Sequence, residues 1–151
     1  MDRALLERLA REAAASPRGR TNFNFHDGPE DNPHRFLNAL SRGSYCAPHC
    51  HVTPPKDESF IVLQGEVGVW LFDDAGSVVE RYALGRGQLF GVDIPAGAWH
   101  TVAALTSSAV CFEVKPGPWD ARTDKAFAPW APREGDDGAA VYLEQLLLDF
   151  A

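Results

Sequence analysis

Leucine recurs at helical spacing near the start of the chain. Leu5, Leu6 and Leu9 share one side, Arg and Glu fill the gaps, and the pattern predicts a helix over residues 2–15. Ser16-Pro17 and a turn at Gly19 stop it. Residues 17–34 then lose periodicity and fill with Gly, Pro, Asn and Asp, which predicts a loop with a short strand around "TNFNF". "HRFLNAL" follows, short, apolar and strand-like. From Gly43 to Lys115, β-rich runs alternate with turn signals: "SFIVLQG", "EVGVWLFDD", "VVERYALG", "QLFGVDIPAG", "WHTVAAL" and "AVCFEVKPG". "DDAG" between "VWLF" and "SVVERY" predicts a hairpin. Strands this closely spaced, with no amphipathic helix between them, predict a mainly β antiparallel sandwich or barrel rather than a parallel α/β sheet. "KPGPWDARTDKAFAPWAPREGDDG" is Pro-rich and irregular, yet holds Trp119, Phe127 and Trp130, aromatics of the kind that pin a loop to the body of a protein. The closing "AAVYLEQLLLDF" puts Tyr142, Leu143, Leu146, Leu147 and Phe150 on one helical face.

At 151 residues the chain is expected to form one domain. The expected division is an N-terminal helix over 1–18, a barrel over 20–116, a Pro-rich covering loop over 117–138 and a C-terminal helix over 139–151. Net charge is −7, from 14 basic and 21 acidic residues, which argues against a nucleic-acid or membrane-surface partner. The N-terminus is too charged for a secretory signal, and three cysteines without one point to free thiols in a reducing cytoplasm. Cys46, Cys50 and Cys111 read as small buried hydrophobes.

Candidate chemistry concentrates in "CAPHCHVTPPKDE". In an extended strand side chains alternate, so His49 and His51 point one way, with Tyr45 and Ala47, while Cys46 and Cys50 point the other. Two imidazoles on one face suit Zn, Fe, Cu or Ni. Glu58 begins the next β-run, and the turn "PAGAWH" can feed His100 back toward them. Three histidines and a carboxylate leave one or two positions for water or substrate, as in a catalytic rather than a closed structural site.

Gly43, His49, His51, Glu58 and Gly65 resemble the first cupin motif, and Pro95, Gly97 and His100 resemble the second. That resemblance implies a single-domain cupin, a small β-barrel or jelly roll, with His49, His51, Glu58 and His100 holding one divalent metal (Zn, Fe, Ni, Mn or Co). The chain departs from the motifs in a six-residue spacer between His51 and Glu58, and in Leu89 and Ala104, which replace a Gly and an Asn. "PPK" reads as a turn insertion, with Asp57 the fallback ligand. "NFNFH", "RFLNALSRGSY", "PHCHVTPPKDE", "FEVKPGPWD" and "TDKAFAPWAPREGD" together resemble WbuC-type cupin metalloproteins, associated with bacterial surface-polysaccharide gene clusters.

Around this set, Glu113 and Tyr45 are candidate proton carriers, and Arg35, Asn38 and Lys56 are candidate substrate ligands. Each has a plainer reading. Tyr45 can simply pack, Lys56 can be a solvated loop lysine, Arg35 a surface charge, Asn38 a strand-end amide, and Glu113 a carboxylate facing water. His26 and His34 lie in polar loops, and Trp99 most simply packs. The expected ligand is a small molecule, carbohydrate-like or anionic, and the expected assembly a homodimer. Three activities fit. The first is a sugar or sugar-nucleotide isomerase or epimerase, the second an Fe-dependent dioxygenase, and the third a non-catalytic metal-dependent binding module. A metal-free epimerase mechanism fits less well, because the full ligand set is present.

Overall fold

A computed structural model describes residues 1–151. Helix α1 (Arg3–Ala15) begins where the Asp2 side chain accepts a hydrogen bond from the Leu5 amide at 2.9 Å, closing one of the donors a helix start leaves open. Ten strands follow: β1 (Arg20–Asn24), β2 (His34–Ser41), β3 (His49–Cys50), β4 (Glu58–Gln64), β5 (Val67–Phe72), β6 (Val78–Leu84), β7 (Gly91–Ile94), β8 (Trp99–Ala104), β9 (Ser108–Lys115) and β10 (Ala126–Phe127). They form two antiparallel sheets, ordered β1-β2-β9-β4-β7 and β10-β3-β8-β5-β6. Helix α2 (Ala139–Leu147) tightens into a 3-10 turn over Leu148–Phe150, where the Trp70 indole donates to Asp149 Oδ2 at 2.9 Å.

Period-two alternation sorts each sheet's side chains into layers. Between the sheets lie Leu40, Phe60, Val69, Leu84, Ile94 and Val102. The outer face of the first sheet is covered by α1, whose Leu9 and Ala13 meet Leu37, Ala39 and Val110. The outer face of the second is covered by α2, whose Leu143, Leu146 and Leu147 meet Trp70, Phe72 and Ala103. Each of these leucines contributes about 1.5–3 kcal/mol through burial. Both terminal helices therefore bury their apolar stripes on sheets of the same chain.

The Pro-rich segment is not wholly irregular. Its β10 adds an edge to the second sheet beside β3, pairing Phe127 with His49 and Ala126 with Cys50. Trp130 packs on Phe72, ring centroids 5.0 Å apart. The segment so pinned crosses the end of the sandwich where β3, β4 and β8 bring the candidate ligands together.

Candidate metal centre

Both sheets supply the centre. Glu58 opens β4 in the first sheet; His49 on β3 and His100 on β8 sit opposite each other in the ladder of the second, and His51 directly follows β3. The His51–Glu58 spacer closes as a tight turn through a bridge between Val52 and Pro55, so Glu58 reaches the histidines while Asp57 stays exposed. Gly97, at φ +81°, donates its amide to the His51 carbonyl at 3.1 Å, and this turn returns the chain to His100. One ligand-type atom from each of His49, His51, Glu58 and His100 lies within 4.8 Å of the others, and all four residues are buried.

The hydrogen bonds on the far side of each ring fix what the near side presents. His49 Nδ1 lies 3.0 Å from the Ala47 carbonyl, His100 Nδ1 lies 2.9 Å from the Ala98 carbonyl, and His51 Nδ1 contacts the Asp124 carbonyl. A carbonyl only accepts, so each Nδ1 carries the proton and each Nε2 presents a lone pair. His51 Nε2 is buried without a hydrogen bond, although Glu58 Oε1 is 3.0 Å away; His100 Nε2 lies 3.0 Å from Glu58 Oε2. Lone pairs facing carboxylate oxygens at this distance need a cation between them. Two extra protons would charge two buried rings whose centroids are 5.7 Å apart. One divalent ion satisfies all four donors at once, so the residues fit a metal. Burial, with the charge of Lys125, holds His49 well below the usual imidazole range, which keeps its ring neutral.

A charged network backs the ligands. Lys115 Nζ donates to Glu58 Oε1 at 3.0 Å and lies 3.6 Å from both Glu113 Oε1 and Asp124 Oδ2. Lys56 Nζ donates to Asp124 Oδ1 at 2.8 Å and to the Pro118 carbonyl at 2.6 Å. Burial pushes the Glu58 carboxyl up, but its contacts with His100 and His51 and the Lys115 ammonium hold it well below the usual range. Burial pushes Lys115 down, yet Glu113, Glu58 and Asp124 outweigh it and raise its pKa. Glu113 behaves differently: burial and the Glu58 charge push it up to about 7 against the pull of Lys115 and the Asn38 amide. Beside this network opens a cavity of about 480 Å³, lined in part by Asn38, Cys46, Glu113, Lys115, Lys125 and Phe127. That size suits a small organic ligand.

The family described as a domain of unknown function (DUF6016) matches residues 1–84. The chain belongs to this family. No curated protein matches the sequence. Among solved structures, the capsular polysaccharide assembling protein CapF from Staphylococcus aureus is 23% identical with a TM-score of 0.58. That match covers 70% of this chain but 28% of CapF, so this chain spans under a third of CapF's length. An oxalate oxidase, solved with the substrate analogue glycolate, is 17% identical over 91% of this chain and 75% of its own, with a TM-score of 0.57. A cupin superfamily protein from Desulfitobacterium hafniense is 14% identical over 64% of this chain and 76% of its own, with a TM-score of 0.50. This member of the DUF6016 family has the cupin fold.

In this DUF6016 cupin, five further residues that the sequence singled out fall in different places. Asn38 and Glu113 line the cavity and bond to each other, Asn38 Nδ2 donating to Glu113 Oε2 at 3.1 Å. Arg35 does not join them. It is three positions from Asn38, an odd interval that puts it on the opposite face of β2, where it is exposed and donates to the Phe25 carbonyl at 3.3 Å. Tyr45 packs instead of carrying protons. Residues 44–48 are irregular, Pro48 cannot donate to a ladder, and the face shared with His49 is lost; the hydroxyl donates to the Pro132 carbonyl at 2.8 Å. Lys56 is neither solvated nor free for substrate, since Asp124 and Pro118 occupy its ammonium. His26 and His34 stack at 4.1 Å beside a second cavity, of about 440 Å³, outside the four-residue cluster. Lys115, Asp124 and Lys125 escaped the sequence reading. Lys115 shares a face with Glu113 by strand parity, which is a usable signal; Asp124 and Lys125 lie in an irregular segment that carries none.

Proposed function

We propose that this cupin binds a divalent transition metal and acts on a sugar or sugar-nucleotide-type small molecule in cytoplasmic surface-polysaccharide metabolism, by isomerase- or epimerase-like proton transfer. One observation carries the reading. Three imidazoles with their Nδ1 protons committed to carbonyls converge with Glu58, close to the buried acid Glu113. His49, His51, Glu58 and His100 would hold the ion, and their nitrogen-rich set accepts Zn, Fe, Ni, Mn or Co. A bound divalent ion supplies Lewis acidity that stabilises charge developing on adjacent sugar oxygens.

The chain's own groups supply the rest. Burial pushes Glu113 up, and the Glu58 charge adds to this until an ion offsets it; Glu113 is the buried acid placed to accept and return a proton. Asn38 orients its carboxyl through the 3.1 Å hydrogen bond, and Lys115 bridges it to Glu58. The similarity to CapF, a capsular polysaccharide assembling protein, supports the carbohydrate class, as does the resemblance to WbuC-type proteins. The reading also pairs the chain as a homodimer, with no nucleic-acid or membrane partner; no helix is long and apolar enough to cross a membrane.

Elemental analysis of protein purified without chelator tests the proposal, on the parent and on His49→Ala and His100→Ala. Near-stoichiometric metal in the parent and large loss in each variant are expected. Equal metal in all three would move the site elsewhere. Incubation of the metal-loaded parent with nucleotide sugars then separates the activities. Epimerised product supports the proposal, oxygen consumption by iron-loaded protein indicates a dioxygenase, and binding without turnover indicates a binding module.

A further inference from the structure

The cavity beside the metal centre is lined by four cationic side chains, Arg18, Arg20, Lys115 and Lys125, and three acidic ones, Glu113, Asp124 and Glu134. In a chain of net charge −7 this is a local excess of positive charge. Three of the cations are already committed. Arg18 grips both Glu134 oxygens, at 2.6 and 2.8 Å, and Arg20 pairs with the same carboxylate while donating to the Tyr45 carbonyl at 3.0 Å. Lys115 is held by Glu58, Glu113 and Asp124. Lys125 alone makes no hydrogen bond or ion pair. It is half-buried, follows Asp124, and precedes β10, the strand that pairs with His49. Its charge acts on both His49 of the metal centre and Glu113 of the cavity wall. A half-buried lysine that no carboxylate of the chain pairs with leaves its ammonium open to an anionic ligand.

We infer that Lys125 binds an oxyanion of the substrate, a carboxylate or a phosphate, so that the cavity selects an anionic sugar over a neutral one. This deepens the proposal above, because it concerns the same cavity. It also supplies the anion-binding group that Arg35 and Lys56 cannot be: Arg35 lies on the outer face of its strand, and Lys56 is sealed against Asp124. An ammonium meets either oxyanion as a point charge, so the chemistry alone does not choose between them. Substituting Lys125 orphans no buried partner, and its variants should fold as the parent does.

Calorimetric titration of the metal-loaded full chain tests the inference with three probes: glucuronate, glucose 6-phosphate and glucose. The proteins are the parent, Lys125→Met and Lys125→Arg. At least one anionic probe should bind the parent more tightly than glucose does, and the better of the two identifies the oxyanion. Lys125→Met should weaken that probe about tenfold, the loss of one charge-assisted hydrogen bond, and Lys125→Arg should restore most of it. Glucose should bind all three proteins alike. Equal affinity of the anionic probes for the parent and Lys125→Met, or no preference over glucose in the parent, overturns the inference. Metal content measured on the same samples keeps the outcomes apart, since loss of the metal reading empties the parent, whereas loss of this inference leaves every protein fully loaded.

Discussion

Glu113 shows how a single residue couples the site to pH. Its ordinary value is 4.5, and burial beside the Glu58 charge raises it to about 7 in the folded chain. The folded protein thus holds a proton that the unfolded chain releases. The associated stability is complete below about 4.5 and is lost as pH rises through about 7. In metal-stripped protein, where nothing offsets the Glu58 charge, Glu113→Gln should flatten that part of the profile, read as the urea midpoint measured between about pH 5 and 8. An unchanged slope would show that Glu113 is already ionised across the range. Residue-scale chemistry was legible unevenly. His49, His51 and Glu58 could be found because their spacing is local and strand parity puts the first two on one face; His100, 42 positions beyond Glu58, is reached through the turn "PAGAWH" and the motif resemblance. Lys56 could not. "PPKDE" looks like a solvated turn, and only Asp124, 68 positions later, buries the lysine. Tyr45 was misplaced by extending strand parity across Pro48 into a stretch that is not a strand.

At the scale of elements, the Pro-rich segment is the part whose contribution the pattern understates. Its composition signals a cover over one barrel end, yet says nothing of the contacts by which it completes the site. The Asp124 carbonyl orients His51, the Asp124 carboxylate neutralises Lys56 and approaches Lys115, and β10 pairs with His49. The segment is fastened at its start as well, by the Trp119 amide to the Pro29 carbonyl at 2.7 Å. Asp124→Asn would keep the carbonyl and the shape but leave the buried Lys56 ammonium uncompensated. Removing one partner of a buried pair costs about 3–5 kcal/mol, and the loss should fall first on the segment the pair fastens. Hydrogen exchange should therefore speed up over residues 117–128 while β5 and β9 stay protected. Uniform acceleration throughout the chain would show that the pair supports the whole sandwich rather than this cover.

For the whole molecule, the covering of the two sheets decides where a second copy can sit. Helix α1 shields β2 and β9 on the outer face of the first sheet, but the same face continues onto β4 and β7 without cover. Glu58 and Phe60 point inward from β4, and alternation turns Ile61 and Leu63 outward, where they are 50% and 40% exposed. Leu89, in phase with Gly91, extends the patch just before β7, and Phe90, 60% exposed, lies beside it at the edge of the sheet. Exposed apolar side chains gathered together mark an interaction site more than isolated ones do, and a two-fold pairing would bury the same patch on both subunits. Light scattering at micromolar concentration should give twice the mass of one chain, and Phe90→Lys should reduce it to a single chain. Metal content should survive that substitution, because the ligands lie between the sheets and the patch lies outside them. A parent that scatters as one chain would remove the homodimer. A Phe90→Lys variant that loses both its partner and its metal would instead mean that pairing holds β4, and with it Glu58, in place.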